Sequence, residues 1–308
     1  MDGVPDMTAP AVHASGLVKR YGDFTAVAGL DLEIGRGEFF GLLGPNGAGK
    51  STSIHMLSSL VQPSAGAASV CGIDTRVDPV AVRQRIGLVF QDSALDRQLS
   101  VWENLRFSGL LYDLPLPETR ERAEHLIRLF GLEEKRDKPV GSLSGGQRRA
   151  LDIARGVLHR PEVLFLDEPT IGLDLPSRRR IWRFIAQLRA ETGMTVLLTT
   201  HYLEEAADCD RVAFIRGGRI VLSGEPAALV GDLGDDIVEV SADQPDAVRA
   251  ELEAVLGPAR VEFETLSFRP PQHDSARLAA LTESLGARIR SVVVRRPNLN
   301  DVFLWVNQ

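Results

Sequence analysis

Cysteine is nearly absent from this 308-residue chain: only Cys71 and Cys209 occur, both in segments that read as core. That excludes a disulfide framework and leaves the two thiols as small buried hydrophobes. Long apolar runs are missing too. No stretch approaches the ~18 consecutive apolar residues of a membrane helix, so any work at a membrane is expected to need another polypeptide. Positive charge is not in excess. With a net charge of −7 and a pI of about 5.5, no broad basic surface for nucleic acid is expected. The first residues carry Asp2 and Asp6 and no apolar run, so a signal peptide is not expected and a cytoplasmic location is. Lysine is scarce, appearing only as Lys19, Lys50, Lys135 and Lys138, and this bias toward Arg, with many Ala, suggests a GC-rich bacterial genome. The remaining composition, 44% hydrophobic and 25% charged, is that of a soluble globular protein. The length suits two domains of about 100–200 residues each.

One of the four lysines closes the string Gly44-Pro45-Asn46-Gly47-Ala48-Gly49-Lys50-Ser51, which matches the phosphate-loop pattern G-x-x-x-x-G-K-[ST]. Its context is right: the apolar run Glu38–Leu43 reads as a buried strand, and Ser51–Leu60 reads as a helix. Phosphates need closely spaced backbone N–H donors, and small residues let the chain wrap that tightly before a helix N-terminus. Lys50 is expected to reach the β- and γ-phosphates and the Ser51 hydroxyl to bind Mg²⁺. Thr52 completes the expected nucleotide-binding segment.

Leu143-Ser144-Gly145-Gly146-Gln147, ahead of an amphipathic stretch from Arg148 to Leu158, forms a second helix N-terminus with open amides. One nucleotide cannot occupy two such cradles in one small domain. The economical solution is a dimer in which each cradle serves the partner's γ-phosphate. The run Val163–Leu166 is apolar enough to be buried on both faces. It ends in the adjacent carboxylates Asp167 and Glu168, at the strand end where ligands bind in open α/β sheets. His201 closes another apolar strand, Met194–Leu198 followed by two threonines, and Gln91 follows the run Ile86–Phe90.

In this order the elements resemble the ATP-binding cassette superfamily over roughly residues 11 to 225. The resemblance implies ATP and Mg²⁺ as cofactors, Asp167 as the Mg²⁺-associated acid, and Glu168 as the general base that polarises water. It implies that His201 contacts the γ-phosphate and that Gln91 touches Mg²⁺ and the attacking water. Ser144, Gly145, Gly146 and Gln147 would contact the partner's ATP, with Asp174 in the loop that crosses the dimer interface. Ile171 departs from the Thr or Ser that many relatives carry. Tyr21 falls where the family stacks an aromatic ring on adenine, a position that equally suits a turn tyrosine.

The implied fold is an α/β P-loop cassette with a RecA-like core, an antiparallel β subdomain and a helical signature subdomain, followed by a small C-terminal α+β domain. The expected limits are a disordered polar leader at 1–10, the cassette at 11–229 with its helical part at about 92–155, and the accessory domain at 230–308. Within the helical part, Trp102, Leu105 and Leu110 make one apolar face, and Leu114-Pro115-Leu116-Pro117 breaks it from the next helix. Gly217-Gly218 reads as a hairpin turn. Beyond Val230, strands at Ile237–Val240, Arg260–Phe268 and Arg288–Arg295 alternate with helices at Asp246–Leu256 and Ser275–Leu285, a pattern compatible with a split βαβ unit. Eight Arg against thirteen Asp and Glu from Gly231 onward argue against RNA or anionic lipid as its ligand. The closing Arg296–Leu304 resembles the C-terminal signature of the daunorubicin-resistance type of exporter ATPase, with Asn300 where Glu is usual.

The expected function is therefore the ATP-hydrolysing subunit of a bacterial ABC-2 type exporter, with drug or antibiotic efflux as one reading and lipid, polysaccharide or ions as other cargoes. Its expected partners are a second ATPase subunit, identical or different, and a separate integral membrane permease. The expected place is the cytoplasmic face of the membrane. The alternative from another class is a soluble cassette ATPase acting on ribosomes or DNA. The single cassette, the lack of a heptad arm and the acidic balance weigh against it.

Overall fold

Residues 9–270 and 275–306 are described by the structure, a computed structural model, the side chains of residues 275–277 excepted. The leader expected at 1–10 lies almost wholly outside them. The chain divides into two compact units, Met1–Ser223 and Gly224–Gln308.

The first unit opens with a long hairpin, β1 (Val12–Tyr21) and β2 (Phe24–Ile34), followed by β3 (Phe39–Leu43), whose five residues are all buried. Helix α1 (Lys50–Leu57) is shorter than the expected Ser51–Leu60, because Ser59 turns into the left-handed region (φ 60°). β4 (Ala65–Val70) and β5 (Ile73–Asp74) join the hairpin in a four-stranded antiparallel sheet of order β2-β1-β4-β5. α2 (Pro79–Arg85), capped by Asp78 and opened by proline, leads into β6 (Ile86–Val89).

The helical insert follows. α3 (Val101–Leu111) starts with a Ser100–Glu103 capping box, and α4 (Leu116–Leu129) begins after the Pro-rich break. The expected apolar face of α3 does not hold together. Leu105 is buried, but Leu110 is exposed beside Phe107 and Leu111. α5 (Gly145–Val157), β7 (Val163–Asp167), α6 (Leu175–Thr192) and β8 (Thr195–Thr200) return the chain to the core. β9 (Arg211–Arg216) and β10 (Arg219–Gly224) finish the unit around Gly217 and Gly218, whose φ of 55° and 74° suit a tight hairpin.

The six-stranded sheet has the order β10-β9-β3-β8-β7-β6, with β9, β3, β8, β7 and β6 parallel. Parallel strands covered on both faces read as continuous apolar runs, as β3 and β7 do. Register aligns Leu43 with Thr200 and Asp167 with Thr199. The loops after β3, β7 and β8 therefore leave the same edge side by side.

In the second unit, α7 (Pro226–Gly231) precedes β11 (Ile237–Ala242), α8 (Pro245–Leu256), β12 (Arg260–Glu262), β13 (Thr265–Phe268), α9 (Ser275–Leu285), β14 (Ile289–Arg295) and α10 (Leu299–Val306). The unit begins at Gly224 rather than near residue 230 because α7 packs on α10. The sheet order β12-β13-β11-β14 is that of a split β-α-β-β-α-β arrangement. Val238, Val240, Leu252, Leu266 and Phe268 form its core. The stretch Arg260–Phe268 is a hairpin and not one strand, since Phe263 takes a left-handed φ of 52°. Among the described residues no helix is long and apolar enough to cross a membrane.

Candidate functional site

The loop from Gly44 to Gly49 tolerates no larger residues at its two ends. A Cβ at Gly44 would run into the Ile215 carbonyl, and one at Gly49 (φ 106°) would sit 2.5 Å from the Ala26 carbonyl. α1 starts without a side-chain cap at Gly49, so its first amides face the loop's concavity. The Lys50 side chain is 5% exposed, and its ammonium donates to the carbonyls of Gly44 (2.8 Å) and Pro45 (3.1 Å). It also lies 3.4 Å from Glu168 Oε1. Asn46, Gly47, Ser51 and Thr52 line the same cleft of about 300 Å³, together with Gln91 and Glu168. Pro45 and Ala48 belong to the loop itself, and Ala48 is buried.

The end of β7 supplies two carboxylates with separate partners. Asp167 Oδ1 accepts from Ser51 Oγ (3.1 Å) and from Thr199 Oγ1 (2.6 Å). Glu168 is 7% exposed and adopts φ 45°, a left-handed backbone costing a non-glycine residue roughly 1–2 kcal/mol. Its N–H donates to the Thr199 carbonyl and hydroxyl, both at 3.1 Å. One carboxylate oxygen faces Lys50 and the other is 3.1 Å from His201 Nδ1. A carboxylate held between a cation and an imidazole, above a phosphate-type loop, is placed to orient and polarise a water.

Three residues outside the motifs hold this geometry. Thr199 ties Asp167 to Glu168. Glu205 accepts from Thr200 Oγ1 (2.8 Å) and from the buried Thr170 hydroxyl, linking the loops after β7 and β8. Arg149, 7% exposed on α5, donates to the carbonyls of Asp167 (3.2 Å), Glu168 (3.1 Å) and Pro169, and to that of Phe90 after β6. Burial pushes its guanidinium below the ordinary value, while Asp152, Asp167 and Asp92 act to keep it charged. The only sequence signal for Arg149 is its place two residues after Gln147. Its partners are carbonyls, which no side-chain pattern reveals.

Ser144 and Gln147 form a capping box at the start of α5: Ser144 Oγ accepts from Gln147 N (3.3 Å), and Gln147 Oε1 accepts from Ser144 N (3.0 Å). Ser144, Gly146 and Gln147 face a small cleft whose lining has no residue in common with the Lys50 cleft. The exposed Gly145 lies beside them. Asp174 caps α6 by accepting from Ser177 N (2.8 Å), and hydrogen bonding from the Ser177 side chain first and then from this amide lowers its pKa. Tyr21 ends β1, paired with Phe24 across the turn. Of the two, Phe24 lines the Lys50 cleft and Tyr21 does not. In the second unit, Asp301 is a structural anchor: it is 1% exposed, accepts from Arg295 twice (2.7 and 2.8 Å) and from Asn298 N (2.8 Å). Asn298 Oδ1 in turn accepts from Asn300 N (2.8 Å), so the closing motif serves as a helix cap and latch.

Residues 27–171 match the family model described as ABC transporter. The Nod factor export ATP-binding protein I of Ralstonia nicotianae is 41% identical over 301 residues, covering 96% of this chain and 94% of the relative. A daunorubicin resistance ATP-binding protein of Streptomyces coeruleorubidus is 41% identical over 309 residues, covering 97% and 95%. Among solved structures, cbiO1 from Clostridium perfringens, part of the ABC transporter complex cbiONQ, superposes with a TM-score of 0.67 at 29% identity, over 80% of this chain and 96% of its own. The dimeric cassette MJ0796, in a post-hydrolysis state with ADP and Pi, gives 0.64 at 27% identity, over 70% and 98%.

Proposed function

Since the chain belongs to the ABC transporter family, we propose that it is the ATP-hydrolysing subunit of a bacterial ABC-2 type exporter, working as a dimer on a separate membrane permease. The observation that carries this reading is Glu168, held between Lys50 and His201 over the phosphate-type loop. Its geometry suits a base that takes a proton from the water attacking the γ-phosphate. Lys50 offsets phosphate charge, and the open amides of α1 receive phosphate oxygens. His201 keeps Glu168 oriented, as the second hydrogen bond of a general base should. Phe24 supplies aromatic surface at the cleft for the adenine ring, with Tyr21 paired to it across the turn.

The donors nearest the loop suit Mg²⁺. Ser51 Oγ and Asp167 are hard oxygen groups 3.1 Å apart, with the Gln91 amide on the same cleft. Among the described residues no cluster of three or more His, Cys, Asp or Glu could hold a metal alone. When bound, Mg²⁺ would neutralise charge on the β- and γ-phosphates.

The separate Ser144 cleft supports a shared site, in which Ser144 to Gln147 of one copy, with Asp174 nearby, close on the nucleotide held by the other. Exposed Phe107, Leu110 and Leu111 on α3 offer an apolar surface suited to a cytoplasmic helix of the permease. Cargo follows from the permease. Equal identity to a Nod factor exporter subunit and a daunorubicin resistance subunit favours neither. The test is ATP hydrolysis by the reconstituted complex with and without chelator. Activity independent of Mg²⁺, or unaffected by Lys50→Ala, would overturn the reading.

A further inference from the structure

Arg149 stands where two parts of the cycle meet. It lies two residues beyond Gln147 on the helix that Ser144 caps. Yet its guanidinium is directed away from that cap, at five backbone carbonyls: Phe90 and Gln91 after β6, and Asp167, Glu168 and Pro169 after β7. A planar fork of five N–H donors can grip two strand ends at once, which a lysine ammonium cannot do. Glu168 needs such a grip. Its left-handed backbone is held on the amide side by Thr199 and on the carbonyl side by Arg149.

We infer that Arg149 is a positioning residue that transmits engagement of the Ser144–Gln147 loop to Glu168 of its own chain. The inference rests on the shared-site reading above. A rigid α5 carries any shift of its N-terminus to Arg149 within one turn of helix. From there, the shift reaches the peptide that aims the base and the one that carries Gln91. Nucleotide bound in the partner's loop thus readies the catalytic carboxylate of the chain that touches it. Hydrolysis at the two sites becomes coupled, since each signature loop reports on one nucleotide and sets the base for the other.

The test uses Arg149→Lys, which retains charge and loses the fork, in the full complex with its membrane partner. In the homodimer kcat should fall roughly 10- to 100-fold, while KM and the thermal shift produced by ATP stay within about threefold of the parent. The Hill coefficient for ATP should fall toward 1. An unchanged kcat, or a KM that rises in step with the loss, overturns the inference. Tagged heterodimers then locate the effect, with Glu168→Gln in one chain leaving both loops able to hold ATP but only one site able to hydrolyse it. Arg149→Lys should slow turnover when it lies in the chain with the intact Glu168, and leave it unchanged in the chain that supplies the signature. The opposite pattern would confine Arg149 to shaping the signature loop. Equal slowing from both chains would mean general destabilisation. Either result rejects the proposal. Ser144→Arg in the same preparations tests the shared site separately, because it should abolish turnover from the chain opposite the intact Glu168, where Arg149→Lys has no effect.

Discussion

Replacing Glu168 with glutamine should do two things at once, and the second follows only from the contact with Lys50. The first is loss of the base. General-base catalysis contributes about 10²–10⁴-fold, so hydrolysis should fall by at least that lower bound. The second concerns affinity. Lys50 and Glu168 approach to 3.4 Å with side chains 5% and 9% exposed, so an arriving γ-phosphate competes with Glu168 for the ammonium. At an effective dielectric of about 20 the gross attraction at that distance is about 5 kcal/mol. Desolvation offsets most of it, and Lys50 also donates to the carbonyls of Gly44 and Pro45. A net gain of about 1–2 kcal/mol for the phosphate is the reasonable remainder, equivalent to roughly 5- to 30-fold tighter ATP binding. Glutamine can still reach His201, so the loop should retain its shape. Competition against a fluorescent nucleotide would give the affinity, and phosphate release from protein cleared of contaminating ATPases would give the rate. Hydrolysis at the parent rate would refute Glu168 as the base. Unchanged or weaker ATP binding, with hydrolysis lost, would refute the competition for Lys50.

Lys50→Ala should abolish the ATP-induced thermal shift seen in the parent, and should also lower the ligand-free melting temperature, because it leaves the buried Glu168 carboxylate without its cation and the Gly44 and Pro45 carbonyls without their donor; equal ATP-induced shifts in both proteins would contradict the phosphate cradle. Ser144→Arg and Lys50→Ala homodimers should each be inactive, yet their mixture should regain a small part of the activity, since each heterodimer has one doubly damaged site and one chemically complete site that turns over without the coupling input through Arg149; an active Ser144→Arg homodimer would count against sharing. His159 is held near pKa 4 by burial, from an ordinary 6.5, so the unfolded chain gains its proton first as pH falls. The stability present above about pH 6.5 should decline toward pH 4 by on the order of 2–3 kcal/mol from this group. Urea midpoints of His159→Gln should show a flatter decline over that window, and an identical slope would argue against a half-buried imidazole kept neutral. Asp301→Ala should destabilise the second unit by about 2–3 kcal/mol, less than a fully buried pair because Arg295 is about a third exposed; calorimetry showing no change in that unit would refute the latch.

The site's parts were legible in the sequence because each is a local device. A phosphate loop needs glycines at fixed spacing, a helix N-terminus needs Ser144 with Gln147 three residues on, and a doubly covered strand must be apolar from Val163 to Leu166. These constraints act over a few residues, so they leave a mark in the order of the letters. The tight turn at Gly217 and Gly218 was readable for the same reason. The assembly of those parts is a different matter. Nothing near Leu43, Asp167 or Thr200 says that β3, β8 and β7 lie side by side, because strand order in a parallel sheet depends on crossovers that local periodicity does not record. Phe263 broke an expected strand into a hairpin with no glycine or asparagine to announce its left-handed turn, and Leu110 left an expected core face for the surface because packing between helices decides which face is covered. The grip of Arg149 on five carbonyls is the clearest case. Every residue has a carbonyl, so its partners carry no letter, and only the folded chain brings them within reach of one guanidinium.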